Sequence, residues 1–161
     1  MELDRSALSD AGQSLRQARS LVDKSESTAF FEDERLHTLG EIEYVRALVL
    51  GATGETDLAN QRAQEMGSLL QALGDKHSDA KVTALTGWIA ARNGDDKMAL
   101  QKLPGAGRPT QKMAFALALY RAGDDKQARA IMEELAHRLQ DDLEGALTRP
   151  RALAWLKKQS K

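Results

Sequence analysis

The chain has no cysteine, which excludes a disulfide framework, a thiolate nucleophile and any cysteine metal ligand. Aromatic residues make up only 4% of it and proline occurs three times. A core of large rings, and a chain broken by frequent proline turns, are therefore excluded. No apolar run approaches the roughly 18 residues that a membrane span requires. A basic excess is also missing: 23 Lys and Arg face 24 Asp and Glu, for a net charge of −1, which argues against a dedicated nucleic-acid binder. The opening MELDRSALSD has neither the basic nor the apolar region of a signal peptide. The strict alternation of a half-buried strand is almost absent.

What is present is ordinary for one globular domain. The 161 residues are 42% hydrophobic and 29% charged, enough to bury a core. Alanine and leucine dominate, and small side chains let helix backbones come close. Charge is unevenly spread. Residues 1–43 are acid-rich, whereas Arg149, Arg151, Lys157, Lys158 and Lys161 follow Glu144 with no acid among them. Such a basic tail complements a helix C-terminus. The alanine-, arginine- and glutamine-rich composition is bacterial in character, and the expected location is bacterial cytoplasm or periplasm.

Helical periodicity runs through the sequence. It predicts helices over about Asp4–Val22, Phe30–Leu50, Thr56–Leu73, Ser78–Arg92, Asp95–Leu103, Pro109–Ala122 and Asp124–Leu139, and a last one beginning near Pro150, a residue suited to a helix's first turn. Leu8, Leu15, Ala18 and Leu21 or Val22 form the stripe of the first. Serine and threonine in DKSESTA and Ser78 are candidate helix caps. On the third, Leu58, Met66, Leu69, Leu70 and Leu73 share a face. The fourth is apolar over most of its circumference, which predicts burial between neighbours. Pro104 and GAGRP cut the fifth short.

Three turns repeat one pattern. GETDLA at 54–59, GDDKMA at 94–99 and GDDKQA at 123–128 each carry a glycine, an acid and an alanine five residues after the glycine. The glycine supplies the left-handed conformation that ends one helix, the acid suits the positive start of the next, and the alanine lets the two helices close up. Phe115, Ala116, Leu119 and Tyr120 before Gly123, with Ala128 and Met132 after it, extend the pattern, as do Gly87, Ala99 and Leu103 around Gly94. In these residues, over roughly 38–140, the chain resembles the tetratricopeptide repeat. The turn glycines are 40 and then 29 residues apart (Gly54, Gly94, Gly123), not the family's regular spacing of about 34. Arg46 stands where the first repeat would place a large apolar residue, and Pro104 truncates the second repeat.

The resemblance implies an all-α fold, a right-handed stack of antiparallel helix pairs with about eight helices. Residues 1–161 form a single domain: 1–27 an N-terminal capping helix, 28–140 three helix pairs, and 141–161 a C-terminal capping helix. It also implies binding of a partner's peptide or helix on the concave face lined by the first helix of each pair. The residues expected there are Tyr44, Leu48, Lys81, Trp88, Arg92, Leu117, Tyr120 and Arg121, aromatic and aliphatic anchors bordered by bases. An acidic or C-terminal peptide with an apolar anchor suits such a strip. The family's two-basic, asparagine-containing carboxylate clamp is not reproduced.

Other constellations are weaker. Glu34 with His37, and Glu134 with His137, match the Glu-x-x-His pairs of di-iron helical bundles. His137 points away from the face defined by Ala128, Met132 and Leu135, and His37 lies off the Leu39–Ile42–Val45 face, so these side chains are read as solvated. Ser78-Asp79-Ala80-Lys81 fits a Ser-x-x-Lys pattern without its companion motifs. The glycines of GATG and GAGRPT follow no strand and lead to no Gly-Lys-Ser/Thr. The leading expectation is thus a non-catalytic protein-interaction module with no cofactor and no metal. The alternatives are a small metalloprotein or enzyme using the Glu-x-x-His pairs, a structural domain whose groove is filled internally, and a homodimer burying Trp155 and Leu156 against a second copy.

Overall fold

A computed structural model describes residues 5–24, 29–137 and 143–159. Among them there are eight helices and no strand: α1 (Arg5–Asp23), α2 (Ala29–Thr53), α3 (Thr56–Ala72), α4 (Ser78–Arg92), α5 (Asp96–Lys102), α6 (Pro109–Arg121), α7 (Asp125–His137) and α8 (Leu143–Gln159). The expected caps in 25–28, the side chain of Leu8, and Leu139 and Lys161 lie outside the described residues.

The turn pattern has a common geometry. Gly54, Gly94 and Gly123 have φ of +86°, +82° and +88°, the region glycine enters without steric cost. The following residue then donates its N–H back into the finished helix: Glu55 to Leu50 O at 2.9 Å, Asp95 to Ala90 O at 3.0 Å, and Asp124 to Leu119 O at 2.9 Å. These bonds satisfy carbonyls that a helix end leaves free. Gly74 (φ +73°) and the Asp75-to-Leu70 bond of 3.0 Å repeat the arrangement between α3 and α4. Asp95 Oδ1 accepts from Met98 N at 2.9 Å and Asp124 Oδ1 from Gln127 N at 3.0 Å, so each aspartate caps the helix that it opens. Ser78 does not act as a cap. His77 holds that position without a side-chain bond, and Ser78 is buried as the first residue of α4.

Each helix packs on the next in sequence, the backbone of α1 approaches that of α2 alone, and α2, α4, α6 and α8 also pack on one another in succession. No comparable contact joins α3 to α5 or α5 to α7. The helices therefore form two ranks, with α2, α4, α6 and α8 in the continuous one. The core divides accordingly. Tyr44, Ala59, Ala63, Met66, Leu85 and Ile89 join α2, α3 and α4; Ala99, Leu103, Ala114 and Ala118 join α5 to α6; Met113, Ala116, Met132, Leu135 and Ala152 join α6, α7 and α8. The apolar α4 touches α2, α3, α5 and α6, which explains its all-round hydrophobicity.

Small residues set the spacing. The alanines five residues after the turn glycines, Ala59, Ala99 and Ala128, are fully buried. At Gly87 a Cβ would come within 2.9 Å of both Leu103 Cγ and Lys102 Cβ, so α4 and α5 meet where glycine alone fits. On α3 the buried face is Ala59, Ala63, Met66, Gly67 and Leu70, while Leu58 is exposed. The helix rotates its small residues inward because they allow the closer approach.

The last helix departs from the sequence-based expectation. It starts at Leu143, seven residues before Pro150, which lies inside it. Proline removes one hydrogen bond, to the carbonyl four residues earlier. Pro150 and Ala146 are both exposed, so water can satisfy that carbonyl and the helix continues through.

Candidate functional site

A cleft of about 460 Å³ opens between α2, α4, the α5–α6 loop and the start of α6. Its floor is apolar, made by Met66, Leu70 and Ala84, with Tyr44 as a wall. Gly40, Ala80, Ala84, Gly105 and Gly107 line it with little side-chain volume. Gly105 has φ +79°, and a Cβ there or at Gly107 would meet nothing within 4 Å. The loop thus bounds the space without filling it.

The charged lining holds Lys81, Lys102 and Arg108 with one carboxylate, Glu41, and the imidazoles of His37 and His77 stand beside them. Lys81 Nζ donates to Asp75 Oδ2 at 2.6 Å. Asp75 holds its proton less tightly than usual because it accepts bonds from Lys81 and from the His77 N–H. Lys102 pairs with no carboxylate among the described residues, so its charge has no bonded counter-charge there. A charge without a bonded partner beside low-dielectric walls attracts the opposite sign.

Arg108 fixes one edge. Its guanidinium lies 3.8 Å from the centre of the Tyr44 ring, a cation–π stack, and bonds Glu41 at 2.6 Å and Glu144 at 3.2 Å. Burial opposes its charge, but these partners outweigh burial and raise its pKa. Burial raises the Tyr44 phenol likewise, keeping it neutral. Glu144, in the first turn of α8, accepts from Thr110 N at 3.2 Å, Thr110 Oγ1 at 2.5 Å and Tyr44 Oη at 3.3 Å. It thereby caps α6 from another helix, since Pro109 opens α6 without a side-chain cap of its own. Three distant parts of the chain, α2, the loop that leads into α6, and α8, meet in this cluster.

The structure brings two of the eight sequence-predicted binding residues to the cleft: Tyr44, buried beneath Arg108, and Lys81, exposed at the rim. Leu48 is half-buried against the α2–α4 core. Trp88 is half-buried between two cores, where a Cβ at Gly51 would come within 2.9 Å of its ring. Arg92 is exposed at the end of α4. Leu117 packs into the α6–α8 core. Tyr120 meets the Trp155 ring edge-on, with centroids 5.3 Å apart. Arg121 grips Asp96 through Nε at 2.8 Å and through Nη2. Trp155 and Leu156, considered for a dimer contact, pack against α6 and α7.

His37, Glu41, Lys102, Arg108 and Gln111 line the cleft and were not among the expected binding residues. The one sequence signal was a lone arginine in the glycine loop GAGRP; its partner Glu144 is 36 residues away. The Glu-x-x-His residues are exposed: Glu34 and His37 on α2, Glu134 and His137 on α7. Glu134 pairs with Lys112, and His137 Nδ1 lies 2.7 Å from Glu133 O. No group of three or more His, Asp or Glu able to hold a metal occurs among the described residues, and none of the described helices is long and apolar enough to cross a membrane.

Comparison with protein-family models, with curated proteins and with solved structures finds none that matches this chain.

Proposed function

We propose that this protein is a non-catalytic interaction module in which α2–α3, α4–α5 and α6–α7 stack as tetratricopeptide-like helix pairs, with α1 and α8 covering the ends. It holds an acidic peptide or helix of a partner protein in the cleft. The repeated turn geometry and the two-rank contact pattern support the repeat assignment. One observation carries the binding assignment: a cleft with an apolar floor lies beside the continuous rank of helices, and Lys102 in its lining pairs with no carboxylate among the described residues. An apolar anchor of the ligand would cover Met66, Leu70 and Ala84, and its acids would meet Lys102, Lys81 and the two imidazoles.

The test is a synthetic peptide array graded in net charge, probed with wild type, Ala80→Trp and Lys102→Glu. Ala80 is exposed on α4, so tryptophan there occupies the cleft without entering the core. Acidic peptides should be retained, lose about tenfold in affinity (about 1.4 kcal/mol) with either variant, and bind less as salt rises. Retention independent of peptide charge, or unchanged by Ala80→Trp, would exclude the cleft as the binding surface.

A further inference from the structure

We infer that the outer face of α8 is a second docking surface, for an acidic amphipathic helix of a partner protein. The inner face of α8 is occupied: Gly145, Thr148 and Ala152 are buried and Trp155 and Leu156 half-buried against α6 and α7. The opposite arc, at 100° per residue, carries Leu153, Ala146, Pro150, Ala154 and Leu147, all exposed. Leu147 and Leu153 are 51% and 49% exposed, more than any other described large apolar side chain except Leu21. Leu153 and Leu147 bound this arc about 120° apart, with Ala146, Pro150 and Ala154 between them.

The packing scheme indicates a helical occupant. α4 and α6 each pack on the two helices before them and also carry a further helix, α5 and α7 respectively. α8 makes the same contacts backwards, to α7 and α6, and its free arc carries no described helix. A helix laid there would bury Leu147 and Leu153 as α7 buries its neighbours on α6.

Charge selects the occupant's chemistry. Arg151, Lys157 and Lys158 are exposed on the same arc and pair with no carboxylate among the described residues, and the one acid of the helix, Glu144, is engaged at the cleft. Acidic flanks on the incoming helix would complement them. A second copy meeting through α8 would instead oppose like charges. A bilayer surface is disfavoured because Trp155, the aromatic that could anchor at an interface, is turned inward against Tyr120.

The experiment is selection of displayed helical peptides on the wild-type protein, with counter-selection on Leu147→Ser/Leu153→Ser, and affinity measurement on Arg151→Glu/Lys158→Glu. All four positions are exposed, and circular dichroism checks each fold. Enriched peptides should carry leucines at i, i+3 or i+4 with Asp or Glu flanks, weaken about tenfold or more in each double variant, and bind normally to Ala80→Trp. Four results would overturn the proposal: no enrichment over the serine variant; enrichment of basic-flanked helices; binding to phosphatidylserine vesicles in place of peptides; or wild-type self-association that Leu153→Ser abolishes.

Discussion

Among the N-terminal helices a charged group sits where α1, α2 and α3 converge; among the C-terminal helices, alanines sit where α6, α7 and α8 converge. Glu43 of α2 is fully buried. Its Oε1 accepts from Arg19 of α1 and from Arg46 at 2.7 Å. Arg62 of α3 lies 3.8 Å from Oε2 and also pairs with Glu65, which Arg19 approaches at 3.6 Å. At the other end Ala116, Ala136 and Ala152 are buried beside Met132 and Leu135, and Ala128 of α7 is buried as well. The two solutions carry different liabilities. A buried ion network loses water and must keep every partner, whereas close-packed alanines ignore pH and salt but tolerate no added volume.

The largest effect should follow from removing the centre of the network. Glu43→Ala leaves Arg19, Arg46 and Arg62 facing one another without their shared counter-charge. Breaking a buried pair on one side costs about 3–5 kcal/mol, read as a lower urea midpoint at an unchanged slope. Because the backbone of α1 approaches that of α2 alone, and Arg19 ties it to Glu43 and Glu65, protease cleavage between α1 and α2 should accelerate with it. A loss below about 1 kcal/mol would place the pair in the range of solvated surface pairs, and the contrast between the two ends would fail.

The alanine end breaks by the opposite operation. Ala128→Leu puts three extra carbons where Ala128 has no exposed surface, and overpacking of this kind costs about 1–3 kcal/mol. The same substitution at exposed Ala130 is the control and should be nearly neutral. The Ala128→Leu loss should be the same in low and high salt, unlike that of Glu43→Ala. Equal losses at 128 and 130 would mean that the helices around α7 adjust freely.

These two ends also separate what the sequence shows from what it hides. The alanine end is legible because its signal is local: glycine, acid and alanine at fixed offsets dictate a turn, a cap and a close approach within six residues. The helix positions follow for the same reason, apart from α8, where a proline compatible with an exposed helix interior was read as a helix start. The N-terminal network is illegible because its members are far apart in sequence. Arg46 reads as a flaw in an apolar pattern until Glu43, Arg19 and Arg62 surround it. The cleft is hidden likewise. Tyr44 and Lys81 fall in it by helix register, whereas Arg108 and Glu144 reach it through loop geometry that no periodicity encodes. Trp88 was read as a groove anchor because an aromatic on a first helix looks the same in sequence whether it faces a groove or a glycine such as Gly51.

The smallest expected effect is the pH response of the network through Glu65. Burial opposes ionisation of this carboxyl, but the charges of Arg62 and Arg19 outweigh it and hold its pKa below the ordinary glutamate value. A carboxyl whose pKa is depressed on folding stabilises the native state above its unfolded value, about 4.3, and loses that contribution as pH falls through the folded value. Glu65→Gln should therefore lower the urea midpoint near neutral pH, and the gap to wild type should close as the pH falls below about 4. The side chain of Glu65 is 38% exposed, so solvent and salt screen the interaction and the gap should also narrow in high salt. Ala128→Leu measured over the same pH series should keep a constant offset. If its offset instead shrank in step with that of Glu65→Gln, both ends would be responding to one global titration, and the division between an ionic end and an apolar end would not stand.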